Sequence, residues 1–267
     1  MSLLSPVIAI GVGNTSVQIG YFKPTSPSDL VPVPDTHVVV SSRSPNWDNL
    51  LPALPDELAP NTQWIAASVF RDSIERISEW ALTRFDVKQI GLLNHRNCPI
   101  QLDVKQPERV GTDRIAAAIA VNRLRHPDKP AICIDAGTAL TVNAIRKDGT
   151  FLGGAIMPGS TTAGRALSKS TDQLPEIVVT SDLRPAPIGR NTDEAIQSGI
   201  FWGAIGAVKE LIARFQAREN MAGAEIFVTG GFGPALEMHL GVPAQLVTHL
   251  VLSGIAISSA AILGADE

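Results

Sequence analysis

Two short segments of this chain put small and hydroxyl-bearing residues where an anion can be held. The first is Ile8-Ala-Ile-Gly-Val-Gly-Asn-Thr15-Ser-Val-Gln-Ile19, the second Ala131-Ile-Cys-Ile-Asp-Ala-Gly-Thr138-Ala-Leu-Thr-Val142. Laid over one another, Gly13-Asn14-Thr15 falls near Gly137-Thr138, and Gly11 falls on Asp135. Each segment is an apolar run, a tight turn holding Gly and Thr, and a second, alternating run, which predicts a β-hairpin. Glycine at the turn removes the Cβ, so backbone N–H groups and a hydroxyl can close on a phosphate. A carboxylate ending the first strand, Asp135 in the second copy, suits a hydrated cation drawn to the same phosphates. The first copy carries Gly11 there and brings no charge. Either hairpin taken singly reads first as an ordinary turn; their repetition is what favours ligand binding. Thr229-Gly230-Gly231 is a further turn of this kind.

Gly111-Thr112-Asp113-Arg114 is the catalytic candidate. It leads into a segment of helical spacing, so Asp113 falls at or beside a helix start. A carboxylate there can cap the helix and answer its dipole, or it can take a proton from a hydroxyl. Arg114 is either a surface residue or a clamp, since its planar fork matches a carboxylate. The five histidines are scattered without metal-ligand or nucleophile spacing, and are read as structural or surface residues. Gly11-Val-Gly13 superficially suggests a dinucleotide fingerprint, but that motif must open a helix, and here Val17, Ile19 and Tyr21 alternate as a strand. No GxxxxGK[ST] loop is present.

The elements that must position these groups follow from periodicity. Val7–Ile10 and Ser16–Phe22 read as paired strands, with a further strand at His37–Ser41 after a stretch rich in Pro, Ser and Asp. Trp64–Val69 is a strand. Arg71–Phe85 is a helix with Ile74, Ile77 and Leu82 inward and Asp72 or Ser73 as cap. Asp113–His126 is a helix with Ile115, Ile119 and Leu124 on its apolar side. Ala131–Ile134 and Ala139–Ile145 form the second hairpin, with a Lys147-Asp148-Gly149 turn, and Phe151–Ile156 continues the sheet until Gly153-Gly154 and Met157-Pro158-Gly159 break it. Asn191 and Glu194 have capping-box spacing at the head of a long helix. Its buried stripe is Ile196, Ile200, Val208, Leu211 and Phe215, with Trp202 also in the core. Gly199, Gly203 and Gly206 thin one side of it, which calls for a closely packed neighbour such as a partner subunit. Glu225–Thr229 is a strand, and Leu246–Leu263 a buried helix. The alternation of strands, helices and Gly turns is that of an α/β protein.

The chain has 267 residues, 45% apolar and 18% charged, with a formal net charge of −4. That supports one large or two ordinary domains and argues against a nucleic-acid surface. Cys98 and Cys133 form no CxxC pair, so neither a disulfide framework nor a zinc site is indicated. No basic segment followed by a long apolar stretch opens the chain, and the late apolar stretch carries His249 and several serines. The expectation is a cytoplasmic protein without a membrane span.

Taken in order, these motifs resemble the type III pantothenate kinase family of the acetate-and-sugar-kinase/actin-like ATPase superfamily. The likeness runs through Gly13-Asn14-Thr15, Gly111-Thr-Asp-Arg114, Asp135-Ala-Gly-Thr138, Gly153-Gly-Ala-Ile-Met-Pro-Gly159, Leu174-Pro175, Gly189-Arg-Asn-Thr192 and Thr229-Gly-Gly231. It implies an α/β fold of two actin-like, ribonuclease H-like lobes with mixed sheets and a nucleotide cleft between them, divided here as 1–113 and 114–267. It implies phosphorylation of pantothenate by ATP, the first step of coenzyme A biosynthesis, with magnesium accompanying ATP. By the same resemblance, Asp113 is the proton acceptor. Gly111, Thr112, Asp113, Arg114, Thr192 and Val104 hold pantothenate. Gly11, Val12, Gly13, Asn14, Thr15, Ser16, Val17, Gln18 and Thr138 hold ATP, and Asp135 binds a monovalent cation, potassium or ammonium. The family is a cytoplasmic homodimer. This chain departs from the family at Gly11 (usually Asp), Gln18 (often basic), Val104 (usually Tyr), Gln106 (usually Asn) and Asn143 (usually Asp). Two alternatives stay open: a relative that binds a ligand or regulates without turnover, and a kinase for another small hydroxyl substrate. A filament or chaperone role is the weakest reading.

Overall fold

A computed structural model describes residues 3–26, 30–43, 46–85 and 87–263. In chain order the elements are β1 (Val7–Val12), β2 (Ser16–Phe22), β3 (Thr36–Ser41), β4 (Gln63–Ser68), α1 (Arg71–Phe85), β5 (Gly91–Leu92) and α2 (Thr112–Leu124), then β6 (Ala131–Ala136), β7 (Ala139–Ile145), β8 (Phe151–Pro158), α3 (Ser160–Lys169), α4 (Thr192–Gln216), β9 (Glu225–Thr229), α5 (Gly233–His239), β10 (Gln245–Leu246) and α6 (Leu250–Leu263). The chain forms two units. One comprises Met1–Leu124 with His249–Glu267, the other Arg125–Thr248. The division expected at 113/114 is therefore displaced. The reason is α2: it packs on α6 and β4, so the helix that Asp113 opens stays with the first unit and draws the chain's last helix back to it.

In the first unit the sheet order is β3-β2-β1-β4-β5. β1 pairs antiparallel with β2 and parallel with β4. Alternation sends Ile8, Ile10 and Val12 to one face, where they meet Ile74, Ile77 and Ala81 of α1 and Trp47, Leu50 and Ala53 of a 3-10 helix. Leu82 was expected inside α1 and is instead 40% exposed, with Ala81 taking the buried position. Asp72 and Ser73 lie within the first turn of α1 and do not precede it. Ser73 is buried and donates to the Ser42 carbonyl. α2 departs from the one-sided pattern: all residues from Ile115 to Val121 are buried. Its alanine run permits close approach, and a Cβ on Gly254 of α6 would overlap the Ala116 backbone. A helix covered on all sides needs no amphipathic stripe.

The second unit repeats the first. Its order β10-β9-β6-β7-β8 is the same sequence of parallel and antiparallel pairings read from the other edge. Ile132, Ile134 and Ala136 share a core with Phe201, Ile205, Val208 and Ile212 of α4 and with Ala235 and Leu236 of α5. Of the expected α4 stripe, Ile196, Ile200 and Val208 are buried, while Leu211 and Phe215 are only partly so. Asn191 caps α4 as its spacing predicts: its side chain accepts from the Glu194 N–H at 2.9 Å, and Glu194 reaches back to the Arg190 N–H. Strand β8 runs through Gly153-Gly154, where a break was expected. Gly153 has φ 91° at a bulge opposite Ala144 and Ile145, and a Cβ on Gly154 would overlap the Val142 carbonyl. The glycines keep the strand in its sheet, the opposite of ending it. Leu246 belongs to β10, so α6 begins later than expected, after His249 at φ 57°. No helix among the described residues is long and apolar enough to cross a membrane.

Candidate functional site

In the first unit the β1–β2 hairpin carries its turn at Gly13-Asn14-Thr15. The Gly13 N–H donates to the Ser16 carbonyl at 2.8 Å, closing the turn, and the Thr15 carbonyl accepts from the Ser42 N–H. Asn14 and Thr15 are exposed, while Val12 and Val17 are buried in the core below. The two valines thus offer the turn their backbone alone. Gly11 pairs with Gln18 on β2 and Ala67 on β4. A Cβ at Gly11 would rest 3.7–4.0 Å from Ile255, Leu252 and Val251 of α6. The position is sterically open and aliphatic, and contributes no charge.

The Gly111-Thr112-Asp113-Arg114 segment meets the same strand end. Thr112 begins α2 and donates its hydroxyl to the Ser68 carbonyl at 3.0 Å. Ser68 closes β4 opposite Val12, and the Val69 N–H donates to the Val12 carbonyl. The Asp113 Oδ1 accepts from the Arg114 N–H at 2.8 Å, and the Gly111 carbonyl accepts from Arg114 and Ile115. A carboxylate in the first helical turn is favoured by the positive end of the peptide dipoles. All four residues are half-buried. Val104, also half-buried, lies in the bend before the short 3-10 helix Pro107–Arg109 that leads to Gly111.

In the second unit the β6–β7 turn is Gly137-Thr138, closed by the Gly137 N–H on the Ala139 carbonyl at 3.1 Å. The Thr138 carbonyl accepts from the Gly159 N–H at 3.0 Å and the Thr162 hydroxyl at 2.6 Å. A Cβ at Gly159 would overlap the Gly137 carbonyl, so the start of α3 holds this turn from behind. Gly159 and Thr162 were not among the sequence candidates for the site. The glycine is visible as a motif, but its sequence context signals a strand break; Thr162 gives no signal, being one more hydroxyl in a helix. Asp135 stands opposite Thr141 on β7 and Thr229 on β9. Asn143 is buried and donates to the Thr141 hydroxyl at 3.0 Å. Gly230 follows with φ 88°, its Cα against the Ala136 backbone, and the Phe232 N–H donates to the Ala136 carbonyl. Carboxylate plus hydroxyl oxygens form a hard donor set that fits an alkali or similar cation. The matching place in the first unit, with Gly11, Gln18 and Ala67, does not fit a metal. Among the described residues no three of His, Cys, Asp and Glu gather around one point.

Thr192, the first residue of α4, lines an apolar groove of about 640 Å³ with Met157, Ser160, Leu174, Ile196 and Gly199. Gly199, Gly203 and Gly206 are exposed, and Cβ atoms built on them meet nothing within 4 Å. The close neighbour expected for the glycine side of α4 is thus not supplied among the described residues.

Comparison with known proteins gives this arrangement a family. The family model for type III pantothenate kinase matches residues 7–214. A type III pantothenate kinase of Legionella pneumophila (strain Paris) is 42% identical over 164 residues, covering 60% of this chain and 61% of that protein. The matched stretch therefore spans about three fifths of that relative's length. One from Dehalococcoides mccartyi is 32% identical over 259 residues, covering 94% and 96% of the two chains. Among solved structures, a Baf family transcriptional activator from Campylobacter jejuni superposes with a TM-score of 0.57 at 18% identity, covering 94% of this chain and 96% of that one. The activator of 2-hydroxyisocaproyl-CoA dehydratase from Clostridium difficile, with bound ADPNP, gives 0.50 at 13%, covering 99% and 95%. These two are likenesses of fold, that of the actin-like ATPases with their mixed sheets. With the family model spanning both Gly-Thr turns and the helix start at Asp113, the chain belongs to the type III pantothenate kinase family.

Proposed function

We propose that this protein transfers the γ-phosphoryl group of ATP to the primary hydroxyl of pantothenate, giving 4'-phosphopantothenate, the first step of coenzyme A biosynthesis. One observation carries the proposal: the helix start bearing Asp113 and the turn Gly13-Asn14-Thr15 are both fixed to the end of β4, Asp113 through the Thr112–Ser68 bond and the turn through the pairing of Val12 with Ser68. A kinase needs an acid or base for the acceptor and donors for the phosphates, held in fixed relation.

In this reading Asp113 takes the proton of the acceptor hydroxyl, or orients it, as the oxygen attacks phosphorus. Arg114 meets the pantothenate carboxylate, with Gly111, Thr112, Val104 and Thr192 completing the acceptor site. The segment Gly11 to Gln18 and Thr138 bind ATP, mainly through backbone N–H groups and hydroxyls. Asp135, with Thr141 and Thr229, holds a monovalent cation, potassium or ammonium. Magnesium arrives with ATP and neutralises charge on the transferring phosphate. The working form in this reading is a cytoplasmic homodimer, and the exposed glycine side of α4 supports a closely packed partner there.

A coupled ADP-release assay with pantothenate, ATP, Mg²⁺ and K⁺ tests the proposal. Turnover above that of Asp113→Asn is expected, and its absence rejects the reading. The uncharged Gly11 favours a second reading, a relative that binds these ligands without turnover. Calorimetric binding of pantothenate or nucleotide with no product formed would establish it. A screen of other small alcohols that yielded a better acceptor would identify a different kinase.

A further inference from the structure

We propose that Thr112 is a positioning residue for phosphoryl transfer, its hydroxyl tying the start of α2, and with it Asp113, to the end of the strand beside the first phosphate turn. The inference rests on the kinase reading above and gives the Thr112 hydroxyl this role, leaving the residue's backbone to line the acceptor site.

The strand end is built to receive this bond. Ser68 is the last residue of β4, so its carbonyl lies at the edge of the ladder and needs a donor. The Ser68 hydroxyl is occupied locally: it accepts from the Phe70 N–H at 3.1 Å and lies 3.0 Å from the Phe70 carbonyl. That folds the chain sharply after β4 and presents the Ser68 carbonyl toward α2, where the Thr112 hydroxyl donates to it at 3.0 Å across a sequence separation of 44 residues. The neighbouring Val69 N–H is bonded to Val12, the residue before Gly13. From Gly13 to Asp113 the path is thus one strand pairing, one side-chain hydrogen bond and two peptide links.

The other end of the path is equally constrained. The Gly111 carbonyl accepts from the Arg114 and Ile115 N–H groups, and Asp113 Oδ1 shares the Arg114 N–H. A shift of Thr112 therefore moves the carboxylate and the backbone that orients it together. The repeated unit shows what distinguishes this device. The position matching Ser68 is Gly230, at φ 88°, and there the chain makes a turn of its own beside Ala136. The first unit keeps a serine in the strand and uses its carbonyl to seat a helix. A hydroxyl on Cβ is the one requirement at residue 112. Serine retains it; valine keeps the shape and loses the donor, leaving the carbonyl short of a partner.

The test is steady-state kinetics of the full-length protein with ATP and pantothenate for Thr112→Val, Thr112→Ala and Thr112→Ser, beside Asp113→Asn. Loss of the tether is expected to lower kcat by about 10- to 100-fold, because a displacement on the order of 1 Å costs that much in a positioned reaction. KM for each substrate should stay within about twofold, and Thr112→Ser should recover most of the rate. A rise in KM for pantothenate with kcat preserved would make Thr112 a substrate contact and overturn the inference. So would full activity in the valine and alanine variants while Asp113→Asn is inactive, which leaves the kinase reading standing. If the unmodified protein turns over no pantothenate, the kinase reading itself has failed. Alanine guards against a valine variant that does not fold, and melting curves show which variants are intact.

Discussion

Replacing Gly111 with alanine sets a methyl group where the Asp113 carboxylate rests. A Cβ built at Gly111 lies 2.5 Å from Asp113 Oδ1, and 3.6 Å from both its Cγ and Val69 Cγ1. The contact with Val69 is ordinary, and Gly111 is not in the left-handed region, so the backbone admits alanine. Such a substitution stabilises by about 0.4–1 kcal/mol through the unfolded chain. The carboxylate is what gives way: moving from 2.5 Å to an ordinary 3.4 Å contact displaces Oδ1 by about 0.9 Å. For a group that must meet one hydroxyl, that displacement costs on the order of 10²-fold in kcat, or about 2.7 kcal/mol of barrier. Gly111→Ala should therefore melt at or slightly above the parent temperature while losing most of its turnover, measured by ADP release at saturating substrates. Unchanged kcat with unchanged melting would refute the placement of Asp113 as the group that acts.

Gly11→Asp adds a carboxylate at the place matching Asp135, against aliphatic groups no nearer than 3.7 Å. It should fold and raise Mg-ATP turnover by at least about tenfold if one electrostatic contact is missing; a melting curve with a magnesium titration of the rate checks both. Gly254→Ala forces α6 off the Ala116 backbone and should lower stability by about 1–3 kcal/mol or more, read by denaturant unfolding. The His249 ring lies against that of His37, centroids 4.0 Å apart and planes tilted by 54°, and burial, then the His37 charge, hold its pKa below the ordinary value. A histidine whose folded pKa is lowered stabilises the fold above its unfolded pKa of about 6.5, and that contribution is lost as pH falls from there through the folded value. His249→Asn, suited to the left-handed backbone at φ 57°, should flatten the melting temperature between about pH 7 and 5; an unchanged slope counts against the pair.

Much of this architecture is written locally. The hairpins at Val7–Phe22 and Ala131–Ile145, helix Arg71–Phe85 and the Asn191–Glu194 cap follow from period and capping chemistry, because each is decided by residues adjacent in sequence. What the sequence did not disclose is decided by partners far along the chain. The burial of α2 on every side depends on α6, more than a hundred residues later. The glycines of β8 look like breakers until the Val142 carbonyl beside Gly154 shows what they make room for. The unit boundary moved for the same reason, since α2 belongs with the helix it touches. At the candidate site the turns and the Asp113 helix start were legible as motifs. Thr162 behind Thr138 and the Thr112–Ser68 bond were not, because a hydroxyl's partner is set by tertiary contact.

The most direct measurement is identification of the product formed from γ-labelled ATP and pantothenate by the unmodified protein and by Asp113→Asn. Label on the primary hydroxyl of pantothenate, lost by orders of magnitude in the variant while calorimetry shows both substrates still bound, is the result this account predicts. Label remaining in ATP or released as phosphate in both proteins, or equal transfer by the variant, would contradict it.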